Sequence, residues 1–299
     1  MNFFPVNICS VCVPCFYIVS GFFFFNNIQD FSLKIYKNKL KTRIRTLVIP
    51  YFLWNVIGLI LCIIKFEFLG FPSFGIIDNG TINLLRVIEG FWDLTDGYPY
   101  AFAFWFIRNL IIFVIVSPVA YFIARRKIGF IIFIIILCVF SIYTYQFEYF
   151  IIGAFLSLNK NKFLFNDNVR LAVISFVLWM SISFIKTELN VWKFYTSLNL
   201  IQCFAAFICI QYIAFRCINF EKYNIFRSLI SATFYIYAIH QFFCTMPRKF
   251  YLTIFGNSFW GVTISFIMSF LTLVIVSFLI YLIMKKLFPS TLKVLGGNR

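Results

Sequence analysis

Long apolar runs alternate with short polar breaks along the whole chain. The runs long enough to cross a membrane predict about nine helices, at 6–26, 46–66, 100–123, 128–145, 147–158, 169–187, 199–216, 228–247 and 258–284. A bilayer offers no hydrogen bonds to backbone groups, so an open chain can cross it only as helices. The pattern therefore predicts an all-α fold, a polytopic membrane helix bundle, with no internal repeat and no separate soluble domain.

The composition agrees with a membrane protein and excludes a soluble globular domain. Hydrophobic residues make up 62% of the chain and charged residues 12%, and the mean hydropathy is +0.93. Soluble domains are about half apolar and about a quarter charged, so they could not bury this much apolar surface. Residues 1–299 are therefore predicted to form a single integral membrane domain in the lipid bilayer.

The net charge of +16 is explained by membrane orientation. With segment 27–45 placed inside as a loop and the spans alternating, 19 of the 26 Lys and Arg residues fall on inside segments. This distribution predicts a cytoplasmic C-terminus and gives no reason to expect a nucleic-acid partner. Nine spans then place the N-terminus outside, almost at the start of a span, which indicates that one helix of the bundle is missing.

The one histidine of the chain, His240, lies well inside the predicted span 228–247. Tyr237 precedes it by one helical turn, and Thr233 and Cys244 complete a polar stripe on the same helix face. A neutral imidazole at this depth could accept or donate a proton. The alternative is a packing histidine that is hydrogen-bonded to a neighbouring helix.

A second ionisable residue, Arg108, lies in the predicted span 100–123, with Trp105 one turn earlier on the same face. Arginine keeps its charge, so it needs an anion, a cluster of carbonyl groups or water. Asn109 beside it favours a polar site. The alternative is that the long side chain reaches the outer membrane surface.

Six basic residues occupy the 12 positions from Lys34 to Arg45. Such a cluster on the inside could bind the phosphates of a donor such as coenzyme A. Arg43 and Arg45, next to the start of the span 46–66, are the better candidates for that contact. Membrane orientation and attraction to anionic lipid are the alternative explanation of the cluster.

Cys9, Cys12 and Cys15 have the spacing of part of an iron–sulfur motif, but no fourth cysteine with a following proline completes it. The three residues fall on one face of an apolar span, where small packing residues are expected. The sequence therefore predicts neither a metal site nor a bound cofactor.

Five stretches follow one another along the chain: VPCFYIVSGFFFF, KTRIRTLVIPYFLWN, FWFIRNLIIFVIVSP, YFIIGAFLS and SATFYIYAIHQFF. Together they resemble acyltransferase family 3, multi-span membrane enzymes that acylate surface polysaccharides, peptidoglycan and similar acceptors. Each stretch matches loosely, but their order covers nearly the whole chain and is more specific than any one of them.

The resemblance implies an enzyme, a membrane acyltransferase that transfers an acyl group, most often acetyl. The donor would be acetyl-CoA or another acyl-CoA from the cytoplasmic side, and the acceptor a hydroxyl of a cell-surface or exported polysaccharide or other glycan. The protein would lie in the bacterial cytoplasmic (inner) membrane. The family has a ten-helix core whose first helix carries an Arg-x10-His signature with the catalytic base, and that helix is expected to be absent here.

The resemblance also assigns roles to residues of this sequence. It implies an orienting or proton-relaying role for His240 and a contact to an anion or to the acceptor for Arg108, which are the predicted catalytic residues. The predicted substrate and donor contacts are Arg43, Arg45, Ser20, Trp105 and Tyr237. Two other interpretations stay open: a non-enzymatic carrier or exporter of a lipid-linked sugar, and an inactive remnant of the family.

Overall fold

The computed structural model describes residues 8–28, 30–70, 77–78, 81–92, 99–140, 146–159, 168–188, 195–217 and 223–297. Its α-helices are α1 (Cys12–Phe25), α2 (Leu33–Arg43), α3 (Ile49–Leu69), α4 (Leu84–Trp92), α5 (Trp105–Ile115), α6 (Ser117–Ala124), α7 (Lys127–Phe140), α8 (Phe147–Leu158), α9 (Val169–Glu188), α10 (Tyr195–Cys217), α11 (Asn224–Phe243), α12 (Thr245–Phe255), α13 (Phe259–Leu287) and α14 (Pro289–Leu295). Shorter turns are the 3₁₀ segments Cys9–Val11 and Phe102–Phe104 and the π-helical segment Ile44–Val48. Two-residue strands, β1 (Ile77–Asp78) and β2 (Thr81–Ile82), pair antiparallel. The predicted all-α bundle is confirmed.

The apolar helices of the described chain fall into three groups by length. Four are long and apolar enough to cross a membrane: Leu33–Phe68, Val169–Thr187, Thr196–Cys217 and Phe259–Leu287. Two bent pairs reach that length together: Phe102–Ile115 with Ser117–Ala124, and Phe226–Phe243 with Thr245–Phe255. Shorter apolar helices stand at the other predicted spans: Cys9–Phe25, Lys127–Phe140 and Phe147–Leu158. This arrangement is that of a multi-pass membrane protein.

Two predicted spans are not single straight helices. The span 100–123 bends by 67° between α5 and α6, and the span 228–247 bends by 63° between α11 and α12. Pro118 and Pro247 stand just after the two bends. Because proline has no N–H to donate to the carbonyl four residues earlier, a continuous helix cannot pass through either position undistorted.

The prediction of a loop over 27–45 is wrong for most of its length. Helix α2 begins at Leu33 and continues through Ile44–Val48 into α3, so that Leu33–Phe68 forms one helix of 36 residues. Lysine, arginine and leucine favour helix, and Leu33–Val48 contains no glycine or proline. Hydropathy located the apolar part of this helix and overlooked its basic extension.

The contacts divide the chain into two compact units, each built from two stretches of sequence. The first unit comprises Met1–Leu40 and Ile112–Glu221, and the second comprises Lys41–Ile111 and Lys222–Arg299. The prediction of one domain over 1–299 stays a prediction.

Close packing of α1 against α8 forms the centre of the first unit. Gly21 and Gly153 lie where the helices cross, and a Cβ on either would overlap the backbone of the other helix, at Phe150 and Ile18 respectively. Phe150 and Tyr17 are fully buried beside this crossing. Two glycines thus let two apolar helices approach backbone to backbone.

In the second unit, α11 packs against α13, and the short C-terminal helix α14 packs against α3. The indole N–H of Trp54 donates to the carbonyl of Leu295 at 3.2 Å. The Tyr235 hydroxyl donates to the carbonyl of Leu292 at 2.6 Å. These bonds join α14 to α3 and α11, and the Leu292 carbonyl also accepts the Gly296 N–H at 2.9 Å.

Candidate active site

His240 is half-buried near the C-terminal end of α11, in the second unit. Its Nδ1 lies 2.5 Å from the carbonyl oxygen of Tyr237, about one turn earlier in the same helix. A carbonyl can only accept a hydrogen bond, so Nδ1 carries the proton in this contact. In the neutral ring the lone pair then lies on Nε2, the nitrogen that can accept a proton from another molecule.

Tyr237 connects α11 to the 3₁₀ segment that precedes α5. Its hydroxyl donates to the carbonyl oxygen of Ala103. Its ring meets Phe106 edge-on at 5.0 Å between centroids and lies 5.6 Å from Phe104, which is fully buried. The hydroxyl that was predicted to contact a substrate therefore has a backbone partner.

The predicted polar stripe on α11 is only partly formed. Thr233 is exposed and its hydroxyl donates to the carbonyl of Leu229 in its own helix. Cys244 lies in the bend after α11, and its thiol points to the carbonyl of Gln241 at 3.3 Å. Helical spacing predicted a continuous stripe because it assumed that the helix continues through Cys244.

Arg108 and Trp105 lie on the first turns of α5, and both are half-buried. Nη1 of Arg108 donates to the carbonyl oxygen of Trp92 at 2.7 Å. Trp92 ends α4, and the C-terminal end of a helix dipole favours a positive charge. A backbone carbonyl is thus one partner of this guanidinium. Carbonyl groups were one of the three partners predicted from the sequence, beside an anion and water.

The two arginines predicted to bind the donor stand at the junction between α2 and α3. Arg43 is half-buried and ends α2, whereas Arg45 is exposed within the π-helical segment Ile44–Val48. The backbone of Thr46 in this segment packs closely on Gly297, after α14. Single π-helical turns occur frequently at functional sites.

A family model described as an acyltransferase domain matches residues 1–282. The chain belongs to acyltransferase family 3. The membrane helices and the family membership agree, and they make the protein a membrane acyltransferase in general terms. No curated protein and no solved structure matches the chain.

All but one of the predicted site residues of the acyltransferase lie in the second unit. Ser20 belongs to the first unit, where it is half-buried on α1 beside Gly21. Gly21 has a packing role in the α1–α8 crossing, so this part of the family signature serves the fold at least in part. The substrate contact predicted for Ser20, like the missing first helix, stays a prediction.

Sequence reasoning missed two amides of the acyltransferase that hold the segment before α5. The Asn55 side chain on α3 accepts the N–H of Ala101 at 3.0 Å, and the Gln241 side chain on α11 accepts the N–H of Ala103 at 2.6 Å. An amide inside an apolar run, as in FLWN and IHQFF, was the available signal. Such an amide indicates that the side chain needs a hydrogen-bond partner, but it does not indicate which group that partner is.

Sequence reasoning also missed a polar network in the first unit. Nζ of Lys186 on α9 bonds to Oδ1 of Asn199 at 2.5 Å and to Oε1 of Gln202 at 2.8 Å, both on α10. The amide nitrogen of Gln202 donates to the hydroxyl of Ser183 at 2.9 Å. Gln202 and Ser183 are fully buried, so this network joins α9 to α10 inside the apolar unit.

Proposed function

We propose that this acyltransferase transfers an acyl group, acetyl in the simplest case, from acyl-CoA to a hydroxyl of a cell-surface or exported glycan. The donor would enter from the cytoplasmic side of a bacterial inner membrane, the side on which the positive-inside rule predicts the C-terminus. Family membership supports the reaction class. The contact between Nδ1 of His240 and the Tyr237 carbonyl, which leaves Nε2 to accept a proton, is the observation that supports a role in proton transfer.

In the proposed reaction, the acceptor hydroxyl oxygen attacks the thioester carbonyl carbon while its proton is relayed by way of Nε2 of His240, the proton-relaying role that the resemblance implies for this residue. The carbonyl oxygen gains negative charge, and the tetrahedral intermediate then collapses with cleavage of the C–S bond. The coenzyme A thiolate leaves and takes up the proton from the imidazolium. The products are an ester and coenzyme A thiol, and His240 returns to its neutral form.

In this proposal, three arginines provide fixed positive charge for contacts to the substrates. Arg108 would contact an anionic group of the acceptor or of the reacting centre, since its guanidinium carries five N–H donors and cannot lose its charge. Arg43 and Arg45 would bind donor phosphates, for which guanidinium groups are suited. Trp105, one turn before Arg108 on α5, would pack on the bound substrate.

The test uses membranes that contain the full chain and acetyl-CoA with a labelled acetyl group. Release of coenzyme A thiol and appearance of label in the glycan fraction should rise together. His240→Gln should lower both rates by about 10²-fold or more, the size of the effect when a group that transfers a proton in the reaction is lost. Glutamine can still donate to the Tyr237 carbonyl, so this variant removes the second nitrogen and spares the helix contact.

Thr233→Ala is the matched control, because Thr233 is exposed on the same helix and bonds only to that helix in the described contacts. It should leave both rates unchanged. Wild-type membranes that release no thiol would overturn the proposal and favour a carrier or an inactive remnant. Full activity of His240→Gln would remove His240 from proton transfer.

A further inference from the structure

The backbone before α5 is irregular and buried, which makes its polar groups costly. Ala101, Ala103 and Phe104 are all buried, and Phe102–Phe104 forms a single 3₁₀ turn closed by the Phe104 N–H on the Ala101 carbonyl at 2.8 Å. Non-helical backbone at membrane depth is stable only where the protein itself supplies hydrogen-bond partners. The partners of this segment therefore determine its position.

Side chains from two helices provide those partners. Oδ1 of Asn55 on α3 accepts the Ala101 N–H, and Oε1 of Gln241 on α11 accepts the Ala103 N–H. The Tyr237 hydroxyl, also from α11, donates to the Ala103 carbonyl. Asn55 is fully buried and donates its own Nδ2 to the Tyr51 carbonyl at 2.8 Å. Both polar backbone groups of Ala103 are thus bound to α11.

The Gln241 amide is used at both ends. Its Oε1 accepts from Ala103 at 2.6 Å, and its Nε2 donates to the carbonyl of Ala238 at 3.1 Å. A backbone N–H can only donate and a carbonyl can only accept, so the orientation of the amide is determined. The side chain next to His240 in sequence is therefore held in one conformation between its own helix and Ala103.

We propose that Gln241, supported by Asn55, is a positioning residue that sets the start of α5 relative to His240. Trp105 begins α5 two residues after the clamped Ala103, and Arg108 lies one turn further. A helix is stiff over one turn, so a shift of Ala103 moves the Arg108 guanidinium with it. The inference rests on the proposed function, because it concerns the geometry in which these groups meet the substrates.

The main test compares Gln241→Met with Gln241→Glu in the full chain. Methionine has a similar length but removes the acceptor, whereas a protonated glutamic acid both accepts and donates as the amide does. Gln241→Met should lower kcat for acetyl transfer roughly 10- to 100-fold with KM changed less than about twofold, because misplaced groups lose rate more than binding. Gln241→Glu should recover most of that loss.

A second readout does not depend on activity. Hydrogen exchange of the Ala103 amide should become about tenfold faster in Gln241→Met than in the wild type, since its hydrogen bond is lost. Exchange in Gln241→Glu should stay near the wild-type rate. Gln211→Met, the same change on α10 in the other unit, should alter neither kcat nor Ala103 exchange.

The outcomes separate this inference from the proposed function. If the wild type releases thiol but Gln241→Met keeps its kcat, the positioning role is overturned and the proposed function stands. If the wild type releases no thiol, the proposed function fails, and hydrogen exchange of the Ala103 amide alone tests the inference. Faster exchange in Gln241→Met would then support the role of Gln241 in positioning the start of α5, and unchanged exchange would overturn it. A loss of folded protein with unchanged kcat per folded molecule would show a structural role and overturn the inference.

Discussion

The crossing of α1 and α8 predicts a large cost for one added methyl group. In Gly153→Ala the new Cβ would overlap the carbonyl oxygen of Ile18, and it would lie 2.7 Å from the Phe22 nitrogen and 2.9 Å from the Ile18 carbonyl carbon. These are backbone atoms, so no flexible side chain can turn away. Reaching an ordinary separation of 3.4 Å from Phe22 alone needs about 0.7 Å of helix displacement.

The displacement sets the magnitude. Overpacking a tight interface costs about 1–3 kcal/mol, and a backbone-to-backbone overlap belongs at the upper end, about 3 kcal/mol. The equilibrium between folded and unfolded protein would then shift roughly 100-fold, at about 1.4 kcal/mol for each factor of ten. Gly21→Ala meets the Phe150 backbone in the reciprocal contact, with its carbonyl carbon at 3.0 Å. The double variant should cost less than the sum, because one separation of the helices relieves both overlaps.

The assay is reversible unfolding in mixed detergent micelles, followed by circular dichroism, which yields the free energy of unfolding. Gly129→Ala on α7 is the matched control: its Cβ would meet the Ile123 carbonyl oxygen at 3.4 Å, an ordinary contact. It should be neutral or slightly stabilising, since alanine favours helix over glycine. Equal free energies for Gly153→Ala and the control would refute the backbone-to-backbone crossing.

Two further predictions concern other parts of the second unit. Arg43→Ala combined with Arg45→Ala should raise KM for acyl-CoA about tenfold or more with little change in kcat, because bonds to donor phosphates act in binding. The matched double change of Arg125 and Arg126 to alanine should leave KM unaltered, and equal KM values in the two doubles would remove the first pair from the donor site. Trp54→Phe removes the indole N–H that donates to α14 at 3.2 Å. At about 1 kcal/mol per hydrogen bond, carboxypeptidase should digest α14 about fivefold faster, and an unchanged rate would count against this anchor.

Hydropathy predicted the fold well because the bilayer leaves few choices. Apolar helices stand at all nine predicted positions, although some are short and two are bent. The bends escaped prediction because a window of mean hydropathy does not register one missing N–H, as at Pro118. The helical extension at Leu33–Arg43 escaped it because a basic helix has no apolar signal.

The site was predicted less completely than the fold. His240, Tyr237 and Arg108 were predicted as site residues because polar groups in a span are few and usually face the bundle interior, and their roles stay predictions. Gln241 was not, since the backbone group it binds lies 138 positions away in the sequence. Neither periodicity nor residue type encodes such a pairing. The pairing of Gln241 with Ala103 can be recognised only in the three-dimensional structure, which shows that the backbone before α5 is not helical.

The described contacts of two ionisable residues in the predicted spans, Lys186 and His240, differ in kind. Lys186 bonds to the oxygens of two amides on the neighbouring helix, and these contacts give its ammonium group hydrogen-bond acceptors within the first unit. The described hydrogen bond of His240 goes to the carbonyl three residues earlier in its own helix, and the next residue, Gln241, makes the same kind of bond through an amide. An amide could therefore satisfy that carbonyl at position 240 as well. The property that only the imidazole adds is a second nitrogen with a lone pair, and the proposed acyl transfer to a hydroxyl would use such a proton acceptor.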